Sequence, residues 1–83
     1  MNIKILGSGC ANCVNLERVT REAVAELGLD AEFEKVTEYA DIASYGIMRT
    51  PGLVVDDQVL LSGRVPTAAQ VKDLLAPLAP VAG

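Results

Sequence analysis

The sequence predicts an α/β fold: a four-stranded mixed sheet carrying three helices in the order β-α-β-α-β-β-α. Three observations lead there. Short β-rich runs alternate with segments whose apolar residues recur at helical spacing. The runs Leu53 to Val55 and Gln58 to Leu61 are separated only by Asp56 and Asp57, a tight-turn pair, so those strands run antiparallel, whereas strands joined through a helix run parallel. Each helical segment has a single apolar stripe and needs the sheet to bury it, which favours a two-layer or helix-sandwiched arrangement.

Asn2-Ile3-Lys4-Ile5-Leu6 reads as the first strand, with Ile3 and Ile5 on one face and Leu6 on the other. Apolar groups on both faces suit a central strand. Gly7 and Gly9 end it and let the backbone turn sharply. From Ala11 to Leu27, the residues Leu16, Val19, Ala23, Val24 and Leu27 fall on one side of a helix, and Gly28 supplies its stop. Glu17 and Arg21 stand four apart as opposite charges, Glu22 and Glu26 four apart as like charges. Charge pairing therefore adds little, and packing must hold this helix.

Leu29 to Val36 alternates in part, with Ala31, Phe33 and Val36 set against Asp30, Glu32, Glu34 and Lys35. One wet face marks an edge strand beside the first, its charges discouraging pairing with another chain. Thr37 is the expected cap of a short helix from Glu38 to Tyr45, with Tyr39, Ile42 and Ala43 on its face and Gly46 at its stop. Tyr39 and Tyr45 read as packing residues with solvent-reaching hydroxyls. After the hairpin, Thr67 and Gln70 have capping-box spacing for a last helix bearing Ala68, Val71, Leu74 and Leu75. Pro77 should stop it and leave residues 77–83 as a loose tail of a single domain spanning 1–83.

Composition narrows the function. Apolar residues make up 51% of the chain, too many for disorder and too evenly spread for a membrane span. Seven basic residues are dispersed among eleven acidic ones, there is no histidine, and Phe33, Tyr39 and Tyr45 are the aromatic residues. Neither a phosphate-tracking surface nor a stacking platform can be assembled from these, so nucleic acid and membrane are not expected partners. The first six residues contain one lysine and go directly into a strand-like pattern, with no room for a secretory signal, and the expected location is cytoplasmic.

The chemistry concentrates in Cys10-Ala11-Asn12-Cys13. Two cysteines three positions apart at a helix start can close a short disulfide, and the unpaired N–H groups there favour a thiolate. In this reading Cys10, at the exposed entrance, attacks a disulfide, and Cys13, one turn inward, resolves the mixed disulfide. With no histidine to serve as base, the helix end must do most of the stabilising, and Asn12 reads as a solvent-facing spacer first and a neutral hydrogen-bond donor to the thiolate second. Lys4, Arg49 and Arg64 read as surface residues, Asp56 and Asp57 as a turn rather than a catalytic pair. Pro51, directly before a strand, is expected in the cis form, placing Thr50 near the sulfurs and leaving edge groups for a client chain. Met48 beside it reads as packing first and groove lining second.

Gly7-Ser8-Gly9-Cys10-Ala11-Asn12-Cys13, then Thr50-Pro51-Gly52, then the Gly63 region before the last helix resemble the small thioredoxin-like and glutaredoxin-like redox-active disulfide proteins over residues 2–76. The resemblance implies a compact thioredoxin fold with sheet order 2-1-3-4 and Cys10 as nucleophile. It further implies Cys13 as resolver, Thr50 and Pro51 as the client groove, and no cofactor. The implied partners are disulfide-containing client proteins and a separate disulfide reductase. The chain departs from the Trp-Cys-Gly-Pro-Cys of thioredoxins and keeps only part of the glutaredoxin Thr-Val-Pro loop, which leaves glutathione use open. The alternative is a soft-metal protein holding copper or mercury on the same two cysteines. Proteins of that class pass from the second strand straight into an antiparallel third, whereas here a helix is predicted between them.

Overall fold

The computed structural model describes residues 1–9 and 11–78; Cys10 and residues 79–83 lie outside the described residues. The elements are β1 (Asn2–Leu6), α1 (Ala11–Leu27), β2 (Glu32–Val36), α2 (Tyr39–Ser44), β3 (Gly52–Val55), β4 (Gln58–Ser62) and α3 (Ala68–Leu75). One sheet forms, in the order β2-β1-β3-β4. β1 runs parallel to β2 and antiparallel to β3, and β3 is antiparallel to β4. The helix that separates this topology from that of the soft-metal carriers is present between β2 and β3.

The alternation along the two central strands sorts the core onto two faces. Ile3, Ile5, Leu53 and Val55 meet Leu16, Val19, Ala23 and Val24 of α1 and Val71 and Leu75 of α3. Leu6 and Val54 point the other way, onto Ile42 of α2, with Val36, Tyr45 and Ile47 packed around them. The helices thus sandwich the sheet. Thr20 falls inside the apolar stripe of α1 and is fully buried, its hydroxyl donating to the Leu16 carbonyl at 2.7 Å, so no polar atom there is left unmet.

Element ends follow local chemistry. Gly28 has φ 66; its N–H donates to the Ala25 carbonyl, and that of Leu29 to the Val24 carbonyl. This pair of bonds is a Schellman stop, and a left-handed residue at its centre suits glycine. It also moves the start of β2. The N–H groups of Gly28 and Leu29 are taken up by the helix, so β2 begins at Glu32, whose N–H reaches the Met1 carbonyl, rather than at Leu29. Thr37 is not the cap of α2. Glu38 holds that position in extended conformation (φ -73, ψ 126), without a side-chain bond, and the helix is shorter than the predicted span. The physical reason is that the Gly7 N–H to Val36 carbonyl bond carries the β1–β2 pairing to the end of β2, leaving Thr37 as linker.

The Asp56-Asp57 hairpin puts both residues at positive φ (48 and 67), the combination a two-residue type I′ turn demands. Asp56 does more than turn: its carboxylate accepts from the Asn2 N–H and its own N–H donates to the Asn2 carbonyl, both at 2.8 Å. Thr67 and Gln70 form both bonds of the capping box. α3 ends at Leu75, and Ala76–Leu78 adds one tighter turn. Among the described residues, no helix is long and apolar enough to cross a membrane.

Candidate active site

α1 starts just beyond the C-terminal end of β1, where α/β folds gather their sites. Its first turn holds no acidic residue, so nothing there offsets the positive end of its dipole. Cys13 sits in that turn and is 5% exposed. Cys10, the predicted nucleophile, lies outside the described residues. Asn12, between them, is exposed, in keeping with a spacer.

Gly7 is what allows Cys13 to sit so close to the end of β1. A Cβ on Gly7 would collide with Cys13 Sγ, would lie 3.3 Å from Cys13 Cβ, and would come within 3.8 Å of Thr50 Cβ. Cys13 and Thr50 therefore approach the same bare stretch of backbone from two sides. Thr50 is exposed, Pro51 is fully buried, and the peptide bond between them is cis. The Pro51 carbonyl accepts from the Gly63 N–H at 2.8 Å, which ties the proline loop to the end of β4. By sequence alone Gly7 is a turn residue; a glycine directly after a strand and six positions before a cysteine is the one signal of close approach.

Two depressions flank the Gly7-Ser8-Gly9 turn, and Thr37 lines both. The smaller lies toward β2 and includes Cys13, Glu17 and Lys35. Glu17 accepts from Arg21 Nε at 3.0 Å and faces Lys35 Nζ at 3.3 Å. The hydrogen bond from Arg21 and then that from Lys35 hold its carboxyl below the usual glutamate value, against partial desolvation. Arg21 in turn stacks over Phe33 at 4.2 Å. Sequence spacing gave the Glu17–Arg21 pair, while Lys35 comes from β2 and had no local signal.

The larger depression is a groove of about 450 Å³ running from Ser8 past Ile42 and Ile47 to Met48, Arg49 and Thr50. Met48 is 97% exposed and lines this groove, so it is not an interior packing residue. Tyr39, at 85% exposure, is not one either, because α2 is too short to bury more than Ile42. Tyr45 does pack, and its hydroxyl is 2.8 Å from Lys4 Nζ. That hydrogen bond, more than the attraction of Asp57, raises the Lys4 ammonium pKa. Lys4 is thus a pin between β1, the end of α2 and the hairpin.

The thioredoxin-domain family profile matches residues 1–76. The chain is 49% identical over 76 residues to a protein named thioredoxin from Methanothermobacter thermautotrophicus, covering 92% of this chain and 99% of that one. It is 38% identical over 73 residues to a thioredoxin from Methanocaldococcus jannaschii, covering 88% and 84% respectively.

Proposed function

Because this chain belongs to the thioredoxin family, we propose that it is a thiol–disulfide oxidoreductase that reduces disulfides of client proteins through Cys10 and Cys13. The observation that carries this assignment is the meeting of buried Cys13 and the Thr50-Pro51 loop across the bare backbone of Gly7. Cys10, three residues earlier, attacks the client disulfide as a thiolate and releases one client sulfur. Cys13 then attacks the Cys10 sulfur and releases the second. Because that second attack is intramolecular, its effective concentration is high and the mixed disulfide is short-lived.

Burial of Cys13 suits this order of events: at 5% exposure it is poorly placed to meet a client disulfide first and suited to act second. Thr50 and Pro51 form the wall against which the client segment lies, and the groove beyond them takes its neighbouring side chains. The chemistry needs no bound cofactor. A separate disulfide reductase returns the electrons, and the reaction belongs to a reducing compartment, the cytoplasm.

Trapping tests the assignment. With a protein disulfide as substrate, Cys13→Ser should accumulate a mixed disulfide through Cys10, and Cys10→Ser should form none. Retention of turnover by both variants would sink the two-cysteine mechanism.

A further inference from the structure

Given the thiol–disulfide exchange proposed above, we infer that this chain selects client segments bearing acidic residues beside the disulfide cysteine and an apolar residue next to them, with Arg49 and Arg64 reading the charge. The distribution of cations points there. Of the seven basic residues, five are met by carboxylates: Lys4 by Asp57, Arg18 by Glu22, Arg21 and Lys35 by Glu17, and Lys72 by Glu26. Among the described residues, no carboxylate pairs with Arg49 or Arg64, and both are exposed. Both also stand at the proline loop. Arg49 precedes Thr50-Pro51, and Arg64 follows Gly63, whose N–H is bonded to the Pro51 carbonyl. A chain with net charge -4 thus places two guanidinium groups, unmatched among the described residues, at the loop where the proposed client docks.

Arg49 is held in position by packing. A Cβ on Gly63 would lie 3.0 Å from Arg49 Cβ and 3.3 Å from its Cδ, so the arginine stem lies across the glycine. Gly63 has φ 78, where a side chain would be strained as well as in the way. A stem already laid down loses less freedom when its head group meets an anion. Among the described residues, Arg49 is also the one charged side chain lining the groove, whose walls include Ile42, Ile47, Met48 and Tyr39. Glu38 and Asp41, beside or on α2, do not line it. An apolar client residue would cover the open Met48 and Tyr39 surfaces, and an acidic neighbour would meet Arg49 without a competing carboxylate.

The test is a single-turnover reaction of the fully reduced chain with two peptide disulfides. They are identical, with leucine near the cysteine, except that one carries glutamate and the other lysine on both sides of it. Two electrons pass from the Cys10 and Cys13 sulfurs to the peptide disulfide, giving two peptide thiols, which take up the two protons, and a Cys10–Cys13 disulfide. Net charge alone favours the lysine peptide, so the sign of the preference discriminates.

At low salt the acidic peptide should react about fivefold to tenfold faster, with the ratio shrinking toward one at high salt. Arg49→Ala with Arg64→Ala should bring the two rates within about twofold, and glutamate at both positions should reverse the order. Arg18→Ala with Lys72→Ala, an equal change in net charge elsewhere, should preserve the wild-type ratio. Equal rates on the wild-type chain, or a ratio lost in that control as fully as in the site variant, overturn the selection while leaving the exchange function standing. Failure to reduce either peptide overturns the exchange function itself.

Discussion

Replacing Gly7 by alanine tests whether bare backbone is what admits the inner cysteine. Gly7 has φ 159, a backbone conformation that side chains rarely adopt, so alanine there carries some conformational strain whatever the space around it. The part of its effect that couples to Cys13 comes from the collision of the new methyl with Cys13 Sγ and its crowding of Cys13 Cβ at 3.3 Å. Both residues are buried, and Gly7 is anchored through its N–H to the Val36 carbonyl, so neither can give way freely. Overpacking of this kind costs about 2 kcal/mol. A domain of 83 residues has a total stability of about 4–12 kcal/mol, so the variant should fold. Its melting temperature should fall by about 8–16 °C.

The assay is a double-mutant cycle with Cys13→Ala, measured by urea unfolding under reducing conditions. Removing the sulfur removes most of the clash, so Gly7→Ala should cost at least about 1 kcal/mol less in the Cys13→Ala background. Gly28→Ala is the contrast: it has nothing within 4 Å of the new Cβ and costs about 1 kcal/mol through its positive φ alone, with no coupling to Cys13. Additivity of Gly7→Ala and Cys13→Ala within about 0.5 kcal/mol would refute the close approach.

Two further outcomes concern charge and capping. The Glu17 carboxyl is held below its ordinary value of 4.5, so the unfolded chain binds its proton more readily. Its contribution is therefore complete above that pH and lost as pH falls through the lower folded value. Glu17→Gln should lower stability at neutral pH by about 0.5–1 kcal/mol, as for other partly screened pairs, and flatten the acid side of the stability curve; an unchanged acid limb would count against the Arg21–Glu17–Lys35 cluster. Thr67→Ala should cost about 1 kcal/mol through the lost capping box, and Thr37→Ala, which caps nothing, under about 0.5 kcal/mol; similar losses in thermal melts would contradict the cap assignment.

The fold was legible where one local rule acted alone. The apolar stripes of α1 and α3, the Gly28 stop and the Thr67 capping box are patterns of a few residues that tertiary packing left intact. The errors fall where two rules competed for one backbone group. Leu29 was drawn into the helix stop rather than into β2, and β1–β2 pairing reached as far as Val36, which displaced the cap of α2 from Thr37 to Glu38. At the site, the residue types and their spacing were visible, but what brings them together was not. The Gly7–Cys13 approach, the Lys35–Glu17 pair and the Arg49 stem over Gly63 each join residues from different elements. No periodicity within one element records such contacts.

The two faces of the sheet also divide the labour of the site. The inner cysteine belongs to α1, whose stripe is part of the larger cluster with α3, so the position of Cys13 is secured by the same burial that stabilises the domain. The groove belongs to the other face, where Leu6, Ile42 and Val54 are the buried members and α2 contributes a single buried side chain. Apolar burial scales with area, so this smaller cluster holds its helix with a smaller share of the folding free energy. β1 and β3 serve both faces: Ile5 and Leu53 face α1, while their neighbours Leu6 and Val54 face α2. A change in the wall of the groove, at the exposed Met48 or Tyr39, would therefore alter the proposed client contacts without reaching the packing around Cys13. In the exchange proposed above, Cys13 is then positioned by the main core, and the groove is a surface that can vary at little cost to the fold.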